Sequence, residues 1–149
     1  MKEELRILRE HLKRAGLKQT SQREVILGLF LGLPDYLSVD EIGRAVQQED
    51  RRIGLSTVYR SLKLFVEAGL AREHHFLAGK TRFEKPAGAA PRNYLVCTAC
   101  HKVQVFEDPL IGAVRDKVCK GLKFAPKFNR LEVYGLCADC RGPVDEDED

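Results

Sequence analysis

Two cysteine pairs of the form Cys-x-x-Cys are the residues of this chain best suited to chemistry. The first pair is Cys97 and Cys100, the second is Cys137 and Cys140, and residues 101–136 separate them. Two intervening residues let the chain turn so that both sulfurs reach one ion, and four thiolates form a closed tetrahedral zinc site. The spacer is longer than in a simple zinc ribbon. We therefore expect one structural zinc ion per chain, which joins the first strand of a small subdomain to its last.

Other uses of the cysteines are two independent disulfides or a redox Cys-x-x-Cys, but neither explains why the motif occurs twice. A zinc deaminase needs an upstream His-x-Glu, and the sequence contains none. Four sulfur ligands leave no coordination position open for a substrate, and the sequence shows no Ser/His/Asp, Walker or Rossmann pattern. We expect no enzymatic activity and no small-molecule substrate, and Cys119 is predicted to be free.

The composition favours an ordinary globular protein. The 149 residues are 44% hydrophobic and 32% charged, which suits one domain or two small ones. No apolar run approaches the ~20 residues that cross a bilayer, and the N-terminus begins an amphipathic pattern instead of a signal peptide. We expect no membrane partner and a cytoplasmic location, where thiols stay reduced. The net charge of +3 is compatible with nucleic-acid binding but does not establish it.

Residues 1–85 are predicted to form a winged helix-turn-helix domain. Apolar residues at helical spacing predict helices over Lys2–Ala15 and, after a capping box of Ser21 and Glu24, up to the break at residues 32–34. A second capping box, Ser38 with Glu41, starts a short third helix, and the fourth runs from Leu55 to Gly69. Residues 70–77 and 81–85 then read as a hairpin with a basic tip at residues 78–80.

The fourth helix is predicted to have two distinct faces. Leu55, Val58, Leu62 and Phe65 share the side that we expect to be buried. The opposite side carries polar residues, namely Ser56, Arg60, Lys63 and Glu67, with Thr57 and Tyr59 at its borders. In a winged helix-turn-helix this helix enters the major groove, where Arg reads guanine edges, while the hairpin follows phosphates. The alternative is a helical bundle with a hairpin and a solvated helix face.

The second half of the chain is predicted to be a separate domain. Residues 86–92 contain two prolines and small side chains and read as a linker, residues 93–141 form the domain, and the acidic residues 142–149 form a disordered tail. Strands at Tyr94–Cys97 and Val103–Phe106, a helix from Asp108 to about Lys120 and a strand ending at Gly135 give the order β, β, α, β. About 50 residues need a metal or a partner to be stable. We expect an α+β protein in which a zinc-stapled α/β domain forms a homodimer.

Three motifs together resemble the ferric uptake regulator (Fur) family, over Leu12 to Cys140. They are Ala15–Thr20 followed by Arg23, the segment Gly54–Arg60, and the two cysteine pairs. The resemblance implies a dimeric, zinc-containing transcriptional regulator, most simply a repressor, that binds palindromic operators in double-stranded DNA. It makes Tyr59 and Arg60 the base-contacting candidates and Lys18 the minor-groove or phosphate candidate. The pattern of the fourth helix and the hairpin predicts three further DNA contacts: Thr57 at the bases, and Lys63 and Lys80 near phosphates.

The chain departs from the family in the residues that hold its regulatory metal ions. Positions that carry metal ligands in the family are occupied here by Tyr36, Arg92, Tyr94, Gly112 and Asn129, and only Glu84 remains. One carboxylate does not make a transition-metal site. The resemblance therefore implies a regulator that has kept its structural zinc but does not sense ferrous iron, with Arg92 near Glu84 in place of the ion's charge.

Three histidines are further candidates for a residual metal site beside Glu84. His74 and His75 are adjacent in a predicted strand, so at most one can face a common ion, and we expect both to be surface or packing residues. His101 follows a zinc cysteine and is expected to lie outside the ligand set. A competing hypothesis for the whole chain is a protein-interaction module on a winged-helix scaffold with vestigial DNA binding.

Overall fold

A computed structural model describes residues 1–77, 80–86 and 93–143. The chain divides into two compact units, Met1–Ala87 and Gly88–Asp149, and each is described by itself. The predicted linker and acidic tail lie outside the described residues, except for Pro86, Gly142 and Pro143, and so do two of the three residues of the predicted hairpin tip. Within the described ranges, no helix is long and apolar enough to cross a membrane.

The first unit contains four helices and a small antiparallel sheet, which confirms the predicted winged helix-turn-helix. The helices are α1 (Lys2–Arg14), α2 (Ser21–Gly32), α3 (Val39–Glu49) and α4 (Leu55–Glu67). The strands are β1 (Leu37–Ser38), β2 (Arg72–His74) and β3 (Arg82–Glu84), in the order β1-β3-β2. The hairpin of β2 and β3 is the predicted one, whereas the two-residue strand β1, which pairs with β3, was not expected.

Side-chain caps fix where two of the helices begin. Ser38 and Glu41 form the predicted capping box of α3: the Glu41 amide donates to the Ser38 hydroxyl, and the Ser38 amide donates to the Glu41 carboxylate. The predicted capping box of α2 is wrong. Thr20, and not Ser21, is its N-cap and accepts from the Arg23 amide at 3.2 Å, while the Glu24 carboxylate forms an ion pair with Arg9 at 2.8 Å. The cap is therefore one residue earlier than predicted.

The four helices enclose one hydrophobic core beneath the sheet. Phe30 of α2 and Phe65 of α4 meet with ring centroids 6.2 Å apart. Each helix contributes buried residues, including Leu8, Leu12, Ile26, Ile42, Val46, Val58 and Leu62. Leu55 was predicted to be buried, but its side chain is 44% exposed. As the first residue of α4, it lies against α3 at Gly43, where an added Cβ would come within 2.4 Å of the Leu55 Cδ1 atom.

The second unit has the predicted order of elements. Strands β4 (Asn93–Cys97) and β5 (Val103–Phe106) are antiparallel, helix α5 (Pro109–Gly121) follows, and β6 (Glu132–Gly135) returns parallel to β4. The sheet order is thus β5-β4-β6. Asp108 caps α5 by accepting a hydrogen bond from the Leu110 amide at 2.9 Å. No residue of α5 is buried within this chain.

Candidate zinc centre and nucleic-acid interface

The four predicted zinc ligands come together in the second unit. The sulfurs of Cys97, Cys100, Cys137 and Cys140 all lie within 4.8 Å of one another, and those of Cys100 and Cys137 are 3.7 Å apart. Zn–S bonds of about 2.3 Å in a tetrahedron place sulfurs roughly 3.8 Å from each other. The cluster therefore fits one zinc ion, as predicted, and four thiolates close its coordination sphere.

The strands of the sheet bring the two cysteine pairs to one end of the unit. Cys97 is the last residue of β4 and lies beside Gly135, the last residue of β6. The amide of Thr98 donates to the Gly135 carbonyl at 2.8 Å, which extends this pairing beyond the strands. Cys137 follows two residues later. The spacing of the cysteine pairs predicts that zinc joins the first and last strands of the unit. In the structure these strands, β4 and β6, are direct neighbours, as such a site requires.

Hydrogen bonds and crowding give the thiols very different acidities. The backbone amides of Cys100 and Cys137 donate to the Cys97 sulfur at 3.5 and 3.4 Å, and they lower the pKa of the Cys97 thiol to about 5. The neighbouring thiols of Cys137, Cys97 and Cys100 raise the pKa of Cys140 to about 12. Four thiolates this close repel one another, so all four ionise together only when a dication such as zinc compensates their charge.

Cys119 and His101 lie outside this cluster. Cys119 is a free cysteine on α5. His101 follows the first pair in a left-handed conformation with φ of 64°, and its amide donates to the Cys97 carbonyl at 3.0 Å. Among the described residues, the four cysteines are the only group of three or more His, Cys, Asp or Glu residues whose ligand atoms are close enough for a metal ion.

Helix α4 exposes most of the side chains that were predicted to contact bases. Tyr59 is 48% exposed and Arg60 is also exposed, whereas Thr57 is half-buried. Ser56, on the same polar face, is exposed as well. Gly54 precedes the helix and offers no side-chain cap. The polar face of α4 is thus open to solvent beginning at its first turn.

Two of the three lysines predicted near phosphates are held by carboxylates of the same unit. Lys63 forms an ion pair with Glu73 of β2, which raises the pKa of the lysine, and its ammonium lies 5.4 Å from the centre of the Tyr59 ring. Lys80 forms an ion pair with Asp40 of α3. Lys18 is exposed. The sequence did not predict these pairs, whose members are 10 and 40 residues apart.

Glu84, the carboxylate that the resemblance assigns to a regulatory metal, is held by protein groups. It is 1% exposed and accepts hydrogen bonds from the Tyr36 hydroxyl at 2.6 Å and from His74 Nε2 at 2.7 Å. The His74 ring is buried and stacks on Phe76 with centroids 5.6 Å apart. His74 is thus a packing residue with a carboxylate partner, and the adjacent His75 is exposed. Arg92, predicted to lie near Glu84, is outside the described residues.

Two further positions of that ligand set, Asn129 and Gly112, lie beside Arg115 of α5. Asn129 accepts a hydrogen bond from the Arg115 guanidinium at 2.7 Å. Gly112 lies one turn before Arg115 on α5 and offers no side-chain ligand atom. A fixed cation therefore lies beside Asn129.

A winged helix-turn-helix followed by a small unit with a four-cysteine zinc site defines a class of zinc-containing, DNA-binding transcription regulators. The model of the Ferric uptake regulator family matches residues 14–134. The chain belongs to this family, whose members are DNA-binding and dimeric regulators.

Individual relatives agree with this assignment. The Ferric uptake regulation protein of Neisseria meningitidis serogroup A is 36% identical over 131 residues, which cover 87% of this chain and 90% of that protein. A solved zinc-bound manganese uptake regulator is 32% identical, with a TM-score of 0.72 and coverage of 87% and 98%. The Helicobacter pylori ferric uptake regulator has the same fold, with a TM-score of 0.84 at 24% identity and coverage of 97% and 95%.

Proposed function

We propose that this chain is a transcriptional regulator, most simply a repressor, that binds palindromic operators in double-stranded DNA as a homodimer. It holds one structural zinc ion per chain and does not respond to ferrous iron. The observation that carries the proposal is the solvent-exposed polar face of α4, which carries Tyr59 and Arg60. The ion pair of Lys63 with Glu73 joins this helix to β2 of the hairpin.

The chemistry of this face suits the major groove. An arginine such as Arg60 can donate two hydrogen bonds to the O6 and N7 atoms of guanine, and Tyr59 and Thr57 offer apolar surface to thymine methyl groups. Lys18, Lys63 and Lys80 serve phosphates. For Lys63 and Lys80 this requires an exchange of partners, because Glu73 and Asp40 hold them in the free protein. Binding is therefore expected to be strongly dependent on salt.

The apolar surface of the second unit supports a second copy of the chain as partner. Leu110, Val114 and Val118 recur every four residues on α5 and are 67%, 53% and 53% exposed. Leu95 and Val133, which are paired on adjacent strands, are 40% and 45% exposed. Exposing this much apolar surface to water on a small unit is unfavourable, and such patches are typical of protein–protein interfaces. A two-fold dimer also presents two α4 helices to the two halves of a palindrome.

Two sets of contacts support the loss of ferrous sensing. Both carboxylate oxygens of Glu84 already accept hydrogen bonds, from Tyr36 and His74, so an ion would have to displace both donors. At the other set of family positions, the Asn129 amide oxygen already accepts a hydrogen bond from the Arg115 guanidinium at 2.7 Å, so an ion would have to displace that donor as well. A ligand shifts a conformational equilibrium only through its differential affinity for the two conformations. Because these contacts leave the protein little affinity for a ferrous ion in either conformation, the ion cannot shift the equilibrium.

The test is selection of bound fragments from random duplex DNA by the zinc-loaded protein, followed by titration of the selected duplex. Titrations are compared with a mild chelator, with ferrous ions and with manganous ions. We expect a palindromic consensus and the same affinity under all conditions. A tenfold gain in affinity with ferrous or manganous ions contradicts the loss of sensing, and failure to enrich any sequence favours the protein-interaction module.

A further inference from the structure

A polar groove lies on the exposed side of α3 and on the turn that follows it. Arg44, Gln47, Gln48 and Arg51 line it, and its volume is about 620 Å³. Two guanidinium and two amide groups offer many hydrogen-bond donors and no carboxylate. None of these four residues was among the predicted DNA contacts.

Arg44 and Arg51 are the two cations of the groove. Neither Arg44 nor Arg51 forms an ion pair within the described part of the chain, and both are exposed. Arg52, by contrast, is paired with Asp50 at 3.0 Å. The groove thus combines neutral donors with two exposed guanidinium groups that are not held in direct ion pairs by the described residues, which is a combination that can bind a phosphate group.

The groove continues from the hairpin that is proposed to follow the DNA backbone. Lys80 of the hairpin forms an ion pair with Asp40, and Arg44 lies one helical turn further along α3. Both cations act on the same carboxylate: Lys80 first, and then Arg44, hold the pKa of Asp40 below its usual value. Lys80, Arg44 and Arg51 therefore form one basic track along α3.

The far end of this track meets the start of α4. The Gln47 side chain donates to the Ile53 carbonyl at 3.2 Å, which ties α3 to the turn before α4. Gly43 of α3 lies directly against the side chain of Leu55, the first residue of α4. The turn also contains Arg51, three residues before Gly54. The groove thus lies beside the N-terminal turn of the helix proposed to enter the major groove.

We propose that this groove binds backbone phosphates of the operator, with Arg44 and Arg51 as the charged contacts and Gln48 as a neutral donor. This rests on the proposed DNA binding and extends it. The phosphate track then runs from Lys80 on the hairpin along α3 to the start of α4. Such contacts position α4 over the bases without reading them, so they contribute equally to binding of every sequence.

The experiment compares the wild type with an Arg44→Gln/Arg51→Gln variant on two duplexes of equal length, one selected and one of random sequence. Affinities are measured over a series of salt concentrations. We expect about tenfold weaker binding of both duplexes and a shallower salt dependence, by about 0.9 in the logarithmic slope for each phosphate that the variant no longer neutralises. An Arg44→Lys/Arg51→Lys variant keeps the charges and should retain most of the affinity and slope.

The matched control is Lys120→Gln/Lys127→Gln, which removes two exposed positive charges from the second unit. It should leave affinity and slope close to those of the wild type. Thermal melting tests whether each variant is folded. If the double variant is unfolded, the single variant Arg51→Gln, in the exposed turn, takes its place. An unchanged slope, a loss confined to one duplex or an equal loss in the control overturns the proposal. If the wild type binds no duplex at all, the proposed function itself fails.

Discussion

The Tyr36 hydroxyl donates a 2.6 Å hydrogen bond to Glu84, a carboxylate that is 1% exposed. Tyr36 precedes β1 and has a left-handed backbone with φ of 66°, and its amide also donates to the Phe83 carbonyl at 2.7 Å. A buried carboxylate that loses a donor keeps the cost of leaving water, which is larger than the gain from an average hydrogen bond. This contact therefore matters to the stability of the first unit.

Replacing Tyr36 by Phe is expected to lower the free energy of unfolding by about 1–3 kcal/mol. The measurement is urea unfolding followed by a probe of the first unit. Tyr134→Phe is the matched control, because it removes a hydroxyl that bonds Glu132 at 2.6 Å, a carboxylate whose side chain is 21% exposed. We expect a smaller effect there. Equal stability of Tyr36→Phe and wild type would show that the hydrogen bond to Glu84 does not hold this region together.

The Glu84 contacts show which part of the site the sequence could not predict. The four cysteines were identified because their spacing and chemistry are local, and any fold that joins the two pairs makes the same zinc site. Tyr36 and Glu84 are 48 residues apart, and only the pairing of β1 with β3 brings them together. A two-residue strand such as β1 has too short a pattern to be recognised in a sequence.

The misplaced cap of α2 also has a cause outside the local sequence. Thr20 and Ser21 are adjacent and both can cap a helix. The presence of Glu24 three residues after Ser21 favoured Ser21, but the tertiary ion pair with Arg9 takes up that carboxylate. The ends of α1 and α4 were predicted closely, because apolar periodicity and the glycines at positions 16 and 69 are strong signals. Both glycines have positive φ, 70° and 78°.

Binding of zinc to the metal-free protein is expected to release fewer than four protons between pH 6 and 8. The Cys97 thiol, whose pKa is lowered to about 5, is already ionised in this range and contributes none. The Cys140 thiol, whose pKa is raised to about 12, must give up its proton, so zinc affinity increases with pH. Calorimetry in buffers of different ionisation enthalpy measures the number. Release of four protons would contradict the acidity of Cys97.

Two cysteine variants control the zinc measurement. Cys119→Ser should bind one zinc ion with the same proton release, because Cys119 lies on α5 and outside the cluster. Cys137→Ser removes a ligand and a thiol beside Cys100, and it should lose zinc and destabilise the second unit. Elemental analysis showing equal zinc in both variants would exclude Cys137 as a ligand.

Replacing Val114 by Glu is expected to shift the protein from dimer to monomer. Val114 is 53% exposed in the middle of the apolar stripe of α5, and a carboxylate buried there at an interface would be unpaired. Sedimentation velocity over a range of concentrations measures the assembly state. Lys120→Glu, on another side of α5, should leave the dimer intact. A dimer that tolerates both changes equally would place the interface elsewhere.

Replacing Arg60 by Ala is expected to change which sequences are preferred. Losing a base contact should cost about 1–3 kcal/mol on the selected duplex and much less on random DNA, because only the specific complex contains it. Lys63→Ala, one turn further along α4, should weaken both duplexes alike and flatten the salt dependence. The measurement is repeated selection with each variant. An unchanged consensus and affinity for Arg60→Ala would exclude α4 as the reading helix.

Replacing Asp40 by Asn is expected to strengthen binding to all duplexes several-fold. Asp40 holds Lys80 in an ion pair and lies near Arg44, so its carboxylate both occupies the lysine and repels phosphates. The pair is partly exposed, with side chains 66% and 33% exposed, and exposed ion pairs contribute little stability; the variant should therefore fold normally.

Affinity on selected and random duplexes is measured beside Glu107→Gln, which removes one exposed negative charge from the second unit. A gain in Asp40→Asn that Glu107→Gln lacks would establish that Asp40 competes with DNA for Lys80. Weaker binding would mean instead that Asp40 orients the lysine for its phosphate.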